Sequence, residues 1–368
     1  MDRLEIFAKS IALGMIEGVG PATARKLLSL AGGVDALFET TVSQLVKLEV
    51  PLKLAQAVHE SGLLNLARYQ AEIVLAHGGE VSHLGGEGYP ARLASCADPP
   101  VVLYKKGSAN LDAPRLISIV GTRKVTEYGK KITDQFIEDL APYEVTIVSG
   151  LAYGVDIQAH RSALRHGVPT IACLGHGLAT MYPGEHMPEA RKMLEDGGAW
   201  VSEFPWKSKA SPKNFPSRNR VIAGLSDATI VIESASKGGS MITARIASSY
   251  HREVFAVPGQ ITREQSSGCH RLIRSMIAHL LTDVRQLAGE LGWEKKRVES
   301  QQLQLNLEME GEERSLYEVI LEKGPIHVDL LQHALGMTSS EISSLLFQME
   351  MKGLIRLLPG QRWDLLRS

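Results

Sequence analysis

Ala228-Thr229-Ile230-Val231-Ile232-Glu233, then Lys237-Gly238-Gly239-Ser240, then Val254-Phe255-Ala256-Val257-Pro258-Gly259 make up the stretch from which the fold can be read. Two short apolar runs flank a glycine turn and a helical segment over Met241 to Tyr250. That is strand, phosphate-type loop, helix, strand. Outward from it, similar apolar runs occur at Leu116 to Val120, Val145 to Val148, Thr170 to Leu174 and Ala199 to Val201. Short, largely apolar runs suit strands buried on both faces. Helical stretches alternate with them, including Glu127 to Leu140 and Asp156 to His166. The pattern predicts an α/β fold, a doubly wound and mostly parallel sheet, with ligands at the carboxyl ends of its strands.

Four small or glycine-rich turns fall at those ends: Gly121-Thr122-Arg123-Lys124, Ser149-Gly150-Leu151-Ala152-Tyr153-Gly154, Gly175-His176-Gly177 and Gly238-Gly239-Ser240. Glycine lets a backbone approach an anion, and a following helix N-terminus attracts it. Together the turns predict a phosphate-binding trough, with Arg123 leaving its strand directly into it. A basic stretch adds to this. Trp206-Lys207-Ser208-Lys209 is followed by Lys213-Asn214-Phe215-Pro216-Ser217-Arg218-Asn219-Arg220, with no carboxylate between Glu203 and Asp227. Unopposed cations beside the aromatic faces of Trp206 and Phe215 suit a phosphate backbone and unstacked bases. The alternative is a solvated loop carrying ordinary surface lysines.

The 368 residues suggest two or three domains, and 44% hydrophobic with 22% charged residues is ordinary for a globular protein. A net charge of −1 gives no overall bias toward nucleic acid, so such binding must come from a local patch. Cys96, Cys173 and Cys269 are widely spaced and form no C-x-x-C pair, which fits a reducing cytosol. The N-terminus has no signal-peptide core and no apolar run reaches membrane-spanning length, so a cytoplasmic protein without membrane contact is expected. There is no G-x-x-x-x-G-K-[ST] loop, and Gly175-His176-Gly177 lacks the third glycine of a dinucleotide fingerprint. His160, His166, His176 and His186 match no familiar ligand spacing. Neither a cofactor nor a metal is expected.

Residues 1–81 read as a helical domain. Gly18-Val19-Gly20-Pro21 looks like the turn of a helix-hairpin-helix, a SAM-like arrangement, and a second copy near Leu48 to Leu52 lacks the glycines. Such a turn seats a DNA phosphate, though a packed helical domain without DNA contact reads equally well. Residues 82–293 hold the sheet and a connecting extension, with a strand over Val101 to Tyr104. Residues 294–311 form a Gln-rich linker. Residues 312–368 give three amphipathic helices and a terminal hairpin, a winged-helix-like module. Its third helix carries Ser339, Ser340, Glu341, Ser343, Ser344, Gln348 and Glu350, a poor surface for reading a groove. A protein contact suits it better.

With these residues laid out, the chain resembles the DNA-processing protein A family (DprA, also called Smf). The likeness rests on Val120-Gly121-Thr122-Arg123, Ser149 to Asp156 with Ala159-His160, Ser202-Glu203-Phe204-Pro205, Phe215 to Arg220, Gly239 to Ala244 and Val257-Pro258-Gly259, in this order along nearly the whole chain. The resemblance implies a Rossmann-like core that binds single-stranded DNA, forms a homodimer and helps load the RecA recombinase in natural transformation, without catalytic turnover. It places DNA contacts at Arg123, Lys213 and Arg218 to Arg220. Gly184 stands where many members carry a basic residue, a contact that Lys207 or Lys209 would supply. His270 replaces a usual Asn. A second reading is an enzyme of the nucleoside monophosphate glycosidase type, in which Glu233 beside Gly238-Gly239-Ser240 supplies the carboxylate; otherwise Glu233 orients Arg220 or a loop amide.

Overall fold

The computed structural model describes residues 2–294, 311–352, 354–358 and 362–365. The chain divides into two compact units, Met1–Lys296 and Arg297–Ser368. The linker expected over residues 294–311 lies, but for its two end residues, outside the described residues.

Among the described residues the first unit is built on nine strands: β1 (Gly79–His83), β2 (Val102–Gly107), β3 (Leu116–Val120), β4 (Thr146–Ser149), β5 (Thr170–Cys173), β6 (Ala199–Ser202), β7 (Ala228–Val231), β8 (Glu253–Ala256) and β9 (His279–Leu280). Their order is β1-β2-β6-β5-β4-β3-β7-β8-β9. From β6 to β9 every pair is parallel. The chain winds from β3 outward to β6, then returns to start again at β7 on the other side. The topological switch therefore lies between β3 and β7, and the carboxyl ends of the parallel strands share one rim.

Side chains alternate across the sheet as strand geometry demands. Ile117, Ile119, Ile147 and Ile230 pack beneath the helices Glu127–Leu140 and Val155–Arg165. Leu116, Val120 and Val148 face Val221, Ile222, Met241 and Ala244 from the helices Asn214–Leu225 and Gly239–Ser249. The six expected strands and the doubly wound plan are present. The extension does more than connect: β1 and β2 pair antiparallel, and β2 joins β6 antiparallel, so the sheet is lengthened by two strands.

Six helices precede β1, from Arg3–Met15 to Leu63–Ala76. Their apolar faces share one core with Val81, Val102, Tyr104, Trp200 and Trp206. The boundary expected after residue 81 thus falls inside β1, because these helices bury their faces against the sheet's antiparallel end. The hairpin before Pro21 turns at Gly18, with φ +82°. A matching turn occurs at Glu49, with φ +62°, between the helices Val42–Lys47 and Leu52–Val58. The second hairpin keeps its backbone shape although the glycine is absent.

In the second unit, helices Glu312–Lys323, Val328–Leu335 and Ser339–Met351 surround Leu316, Ile320, Leu331, Ile342 and Met349. Strands β10 (Ile326–His327), β11 (Ile355–Leu358) and β12 (Arg362–Leu365) form a sheet in the order β10-β12-β11. Thr338 caps the third helix in a capping box with Glu341. The turn of the expected terminal hairpin, at Pro359-Gly360, lies outside the described residues.

His160 gives a test of the core. It is fully buried, with Nδ1 against Thr170 Oγ1 at 2.7 Å, and burial pushes the imidazole down to about 3. Its ordinary value is 6.5. The unfolded chain therefore takes up a proton that the folded chain refuses, and stability falls as pH drops below that value. His83 and His176 are also held down by burial and act with the same sign. Urea unfolding across mildly acid pH should show the wild type losing up to about 1.4 kcal/mol per pH unit more than His160→Gln.

Candidate nucleic-acid interface

The rim turns after β3, β4 and β5 meet around one pocket, lined by Arg123, Gly150, Tyr153, Gly175, Tyr182, Phe215 and Arg218 among others. Arg123 is exposed, and its guanidinium carbon lies 5.6 Å from the centre of the Phe215 ring. Tyr182 is 51% exposed and its ring centre is 6.0 Å from that of Phe215. Gly175 permits this: a Cβ there would stand 2.9 Å from the Phe215 ring. A second open pocket shares Arg123 and Tyr153 and adds Lys124, Lys130 and Arg161. Lys130 and Arg161 are tied to Glu127 and Glu189. Arg123 and Lys124 form no ion pair among the described residues. Free cations beside partly exposed aromatic rings can hold phosphates while bases stack.

Beneath the pocket Arg218 acts as a brace. It is 5% exposed, and its Nη1 donates to the carbonyls of Gly150 at 2.5 Å and Cys173 at 2.6 Å. Gly150 lies between this guanidinium and Asp156, for a Cβ on it would stand 2.4 Å from Arg218 Nη1 and 2.6 Å from Asp156 Oδ2. Burial raises the Asp156 carboxyl above its ordinary value, against the pull of Arg218. Burial likewise lowers Arg218, against the pull of Asp156. Two buried, opposite charges thereby fix the Ser149–Gly154 turn. Ser149 adds a hydrogen bond from its hydroxyl to the Ile119 carbonyl at 2.6 Å.

The other expected site residues are placed differently. Arg220 is engaged by Glu203 and the Asp98 carbonyl. The basic stretch is thus not wholly unopposed, since Glu203 at its start folds back on Arg220. Burial still outweighs that attraction and raises the Glu203 carboxyl. Trp206 is 3% exposed and packs against Gly79 and His77, so it offers no face to a base. Asn219 accepts from Arg218 Nε at 3.2 Å. Lys207, Lys209 and Lys213 are exposed, without ion pairs among the described residues, but do not line the pocket. Lys213 stands just before the helix that begins at Asn214, without a side-chain capping bond.

Gly238, Gly239 and Ser240 sit at the same rim across the switch, outside the pocket lining. The Ser240 hydroxyl is bound to that of Ser234 at 2.8 Å. Gly121 and Thr122 link the two sides, with Thr122 N–H donating to the Glu233 carbonyl at 2.7 Å. The Glu233 carboxylate is buried and accepts from Thr126 N at 2.9 Å and Thr126 Oγ1 at 2.6 Å. It orients a loop amide, not Arg220.

Tyr153 and Tyr182 were not singled out in the sequence. The available signal was their position, each a few residues beyond a rim glycine. Of the four histidines, His176 holds the 175–183 loop, its Nδ1 against the Gly177 carbonyl at 2.8 Å and its Nε2 accepting from Tyr182 N at 3.2 Å. His270 faces the Gly259 carbonyl at 2.9 Å. Among the described residues, Glu253, His279 and Glu290 come within reach of a common ion. Each ring nitrogen of His279 faces a different carboxylate, at 3.3 and 3.4 Å, which is an ion-pair arrangement. No helix among the described residues is long and apolar enough to cross a membrane.

Comparison with known proteins agrees with this architecture. Residues 80–292 match the family profile described as DNA recombination-mediator protein A, and residues 300–361 match the DprA winged helix domain. The chain is 36% identical over 288 residues to Protein Smf of Escherichia coli K12, covering 74% of each chain. It is 38% identical over 206 residues to the DNA processing protein DprA of Streptococcus pneumoniae R6, covering 55% of this chain and 71% of that one. The crystal structure of DprA from Streptococcus pneumoniae superposes with a TM-score of 0.63 at 29% identity, over 79% of this chain and 98% of that one. DprA from Helicobacter pylori, solved for its single-stranded DNA binding mode, gives 0.52 at 31% identity, over 57% and 95%. The chain belongs to the DNA-processing protein A (DprA/Smf) family.

Proposed function

We propose that the chain is a non-enzymatic, single-stranded DNA-binding recombination mediator that works as a homodimer and helps load RecA onto incoming DNA in natural transformation. The observation that carries the DNA reading is Arg123, unpaired and set over Phe215 beside Tyr153 and Tyr182. Such a group grips a phosphate while its aromatic neighbours take bases with little sequence preference. The single-stranded DNA binding of the Helicobacter pylori relative supports it. RecA loading and pairing with a second copy rest on the family likeness.

The test compares a fluorescent oligothymidylate with a duplex of equal length, followed by RecA filament growth on a single strand. Tighter binding of the single strand and faster filament growth are expected. Equal or weaker binding of the single strand would overturn the reading. Glu233, occupied by Thr126, is unsuited to the glycosidase reading. Nucleoside monophosphates should remain intact in the same preparation, and base release abolished by Glu233→Gln would instead favour an enzyme.

A further inference from the structure

A second groove of about 330 Å³ runs between the helix Leu63–Ala76 and the loop Pro205–Ser208. Leu66 and Tyr69 present large exposed faces there, 52% and 56%. Ile73 and Trp206 complete the apolar wall. Lys207 Nζ stands 5.9 Å from the centre of the Tyr69 ring. Two buried polar atoms of the lining lack a hydrogen-bond partner, the Trp206 indole N–H and Gln70 Oε1. Both atoms are shielded from solvent, so the surface the groove offers a ligand is that of Leu66 and Tyr69.

The groove is physically joined to the rim pocket. Gly177 N–H donates to the Ser208 carbonyl and Ala179 N–H to the Trp206 carbonyl, both at 2.9 Å. The same 175–183 loop supplies Gly175 and Tyr182 to the first pocket. One short segment thus has the rim pocket on one side and the groove loop on the other. Lys207, Lys209 and Lys213 lie along the connecting chain, exposed and without ion pairs among the described residues. A flexible polyanion leaving the Arg123 pocket meets cations on this course, then an aromatic ring.

Resting on the single-stranded DNA reading above, we propose that this groove is a second nucleotide subsite. A base stacks on Tyr69 against Leu66, and Lys207 moves from the ring to the phosphate. The N-terminal helices thereby extend the DNA track. The unpaired lysines favour this occupant over an apolar peptide, which would leave them without partners.

The experiment measures affinity for oligothymidylates from about 4 to about 16 nucleotides, the range of single-strand site sizes. Wild type, Tyr69→Ala and Arg123→Ala are compared. Tyr69 is exposed, and unchanged urea midpoints would establish that its variant is folded. Tyr69→Ala is expected to bind the shortest strands as wild type does and to lose about five- to twentyfold on the longest. A photoreactive uracil in the long strand should crosslink to Tyr69. Loss of short-strand binding in Arg123→Ala, with Tyr69→Ala equal to wild type at every length, would overturn the subsite and leave the rim pocket standing. An equal loss at all lengths in Tyr69→Ala would also overturn it. So would intact DNA binding accompanied by weakened RecA binding, which would assign the groove to a protein. Failure of wild type to bind any strand would strike the earlier reading instead.

Discussion

Arg123→Ala is expected to weaken single-stranded DNA binding by about tenfold to a hundredfold at low salt, as loss of a charge-assisted contact does. Arg123 is exposed, so the loss should come without a change in stability. The logarithmic salt slope should fall by about 0.7, the value for one phosphate of a single strand. Arg123→Lys separates charge from shape. It should keep the slope but recover only part of the affinity, because an ammonium cannot reproduce the planar guanidinium over Phe215. Anisotropy titrations at several salt concentrations measure both quantities. Unchanged affinity in Arg123→Ala would remove the central contact of the proposed interface.

Arg218→Met should act through stability. The substitution removes the donor to the Gly150 and Cys173 carbonyls and leaves Asp156 buried beside an apolar chain. Each buried carbonyl left without its donor costs about 1–3 kcal/mol. The urea midpoint should drop with little change in its slope. Adding Asp156→Asn removes the stranded charge and should recover part of the loss, a coupling that a double-mutant cycle reads directly. Additive effects of the two substitutions would mean that the buried charges do not act as a pair.

The two arginines show why the sheet was legible in the sequence and the site only in part. A strand buried on both faces is largely apolar, with its few small polar residues hydrogen-bonded, so β3, β4, β5, β7 and β8 announce themselves locally. Polar alternation in Gly79-Glu80-Val81-Ser82-His83 hid β1, which is covered by helices more than sixty residues away in some cases. The two residues of β9 are too few to form a pattern. Arg218 and Arg220 sit two positions apart in one basic run, yet one is inside and the other faces Glu203. Composition cannot distinguish them, because their partners come from β4, β5 and residue 203. Trp206 likewise reads as an aromatic ring among lysines until the N-terminal helices are seen to cover it. The glycine turns lie at the carboxyl ends of the strands as expected, since backbone shape is a local property. Which side chains crowd over that rim depends on the strand order.

The core shared by the first six helices with Trp200 and Trp206 bears on how the chain is made. During synthesis those helices leave the ribosome before the sheet, and the two indoles that help cover them are added only after β5. Until then their apolar faces remain without their final cover, a period in which nascent chains are open to chaperones and to misassociation. These helices are therefore completed late, and their maturation waits on the sheet.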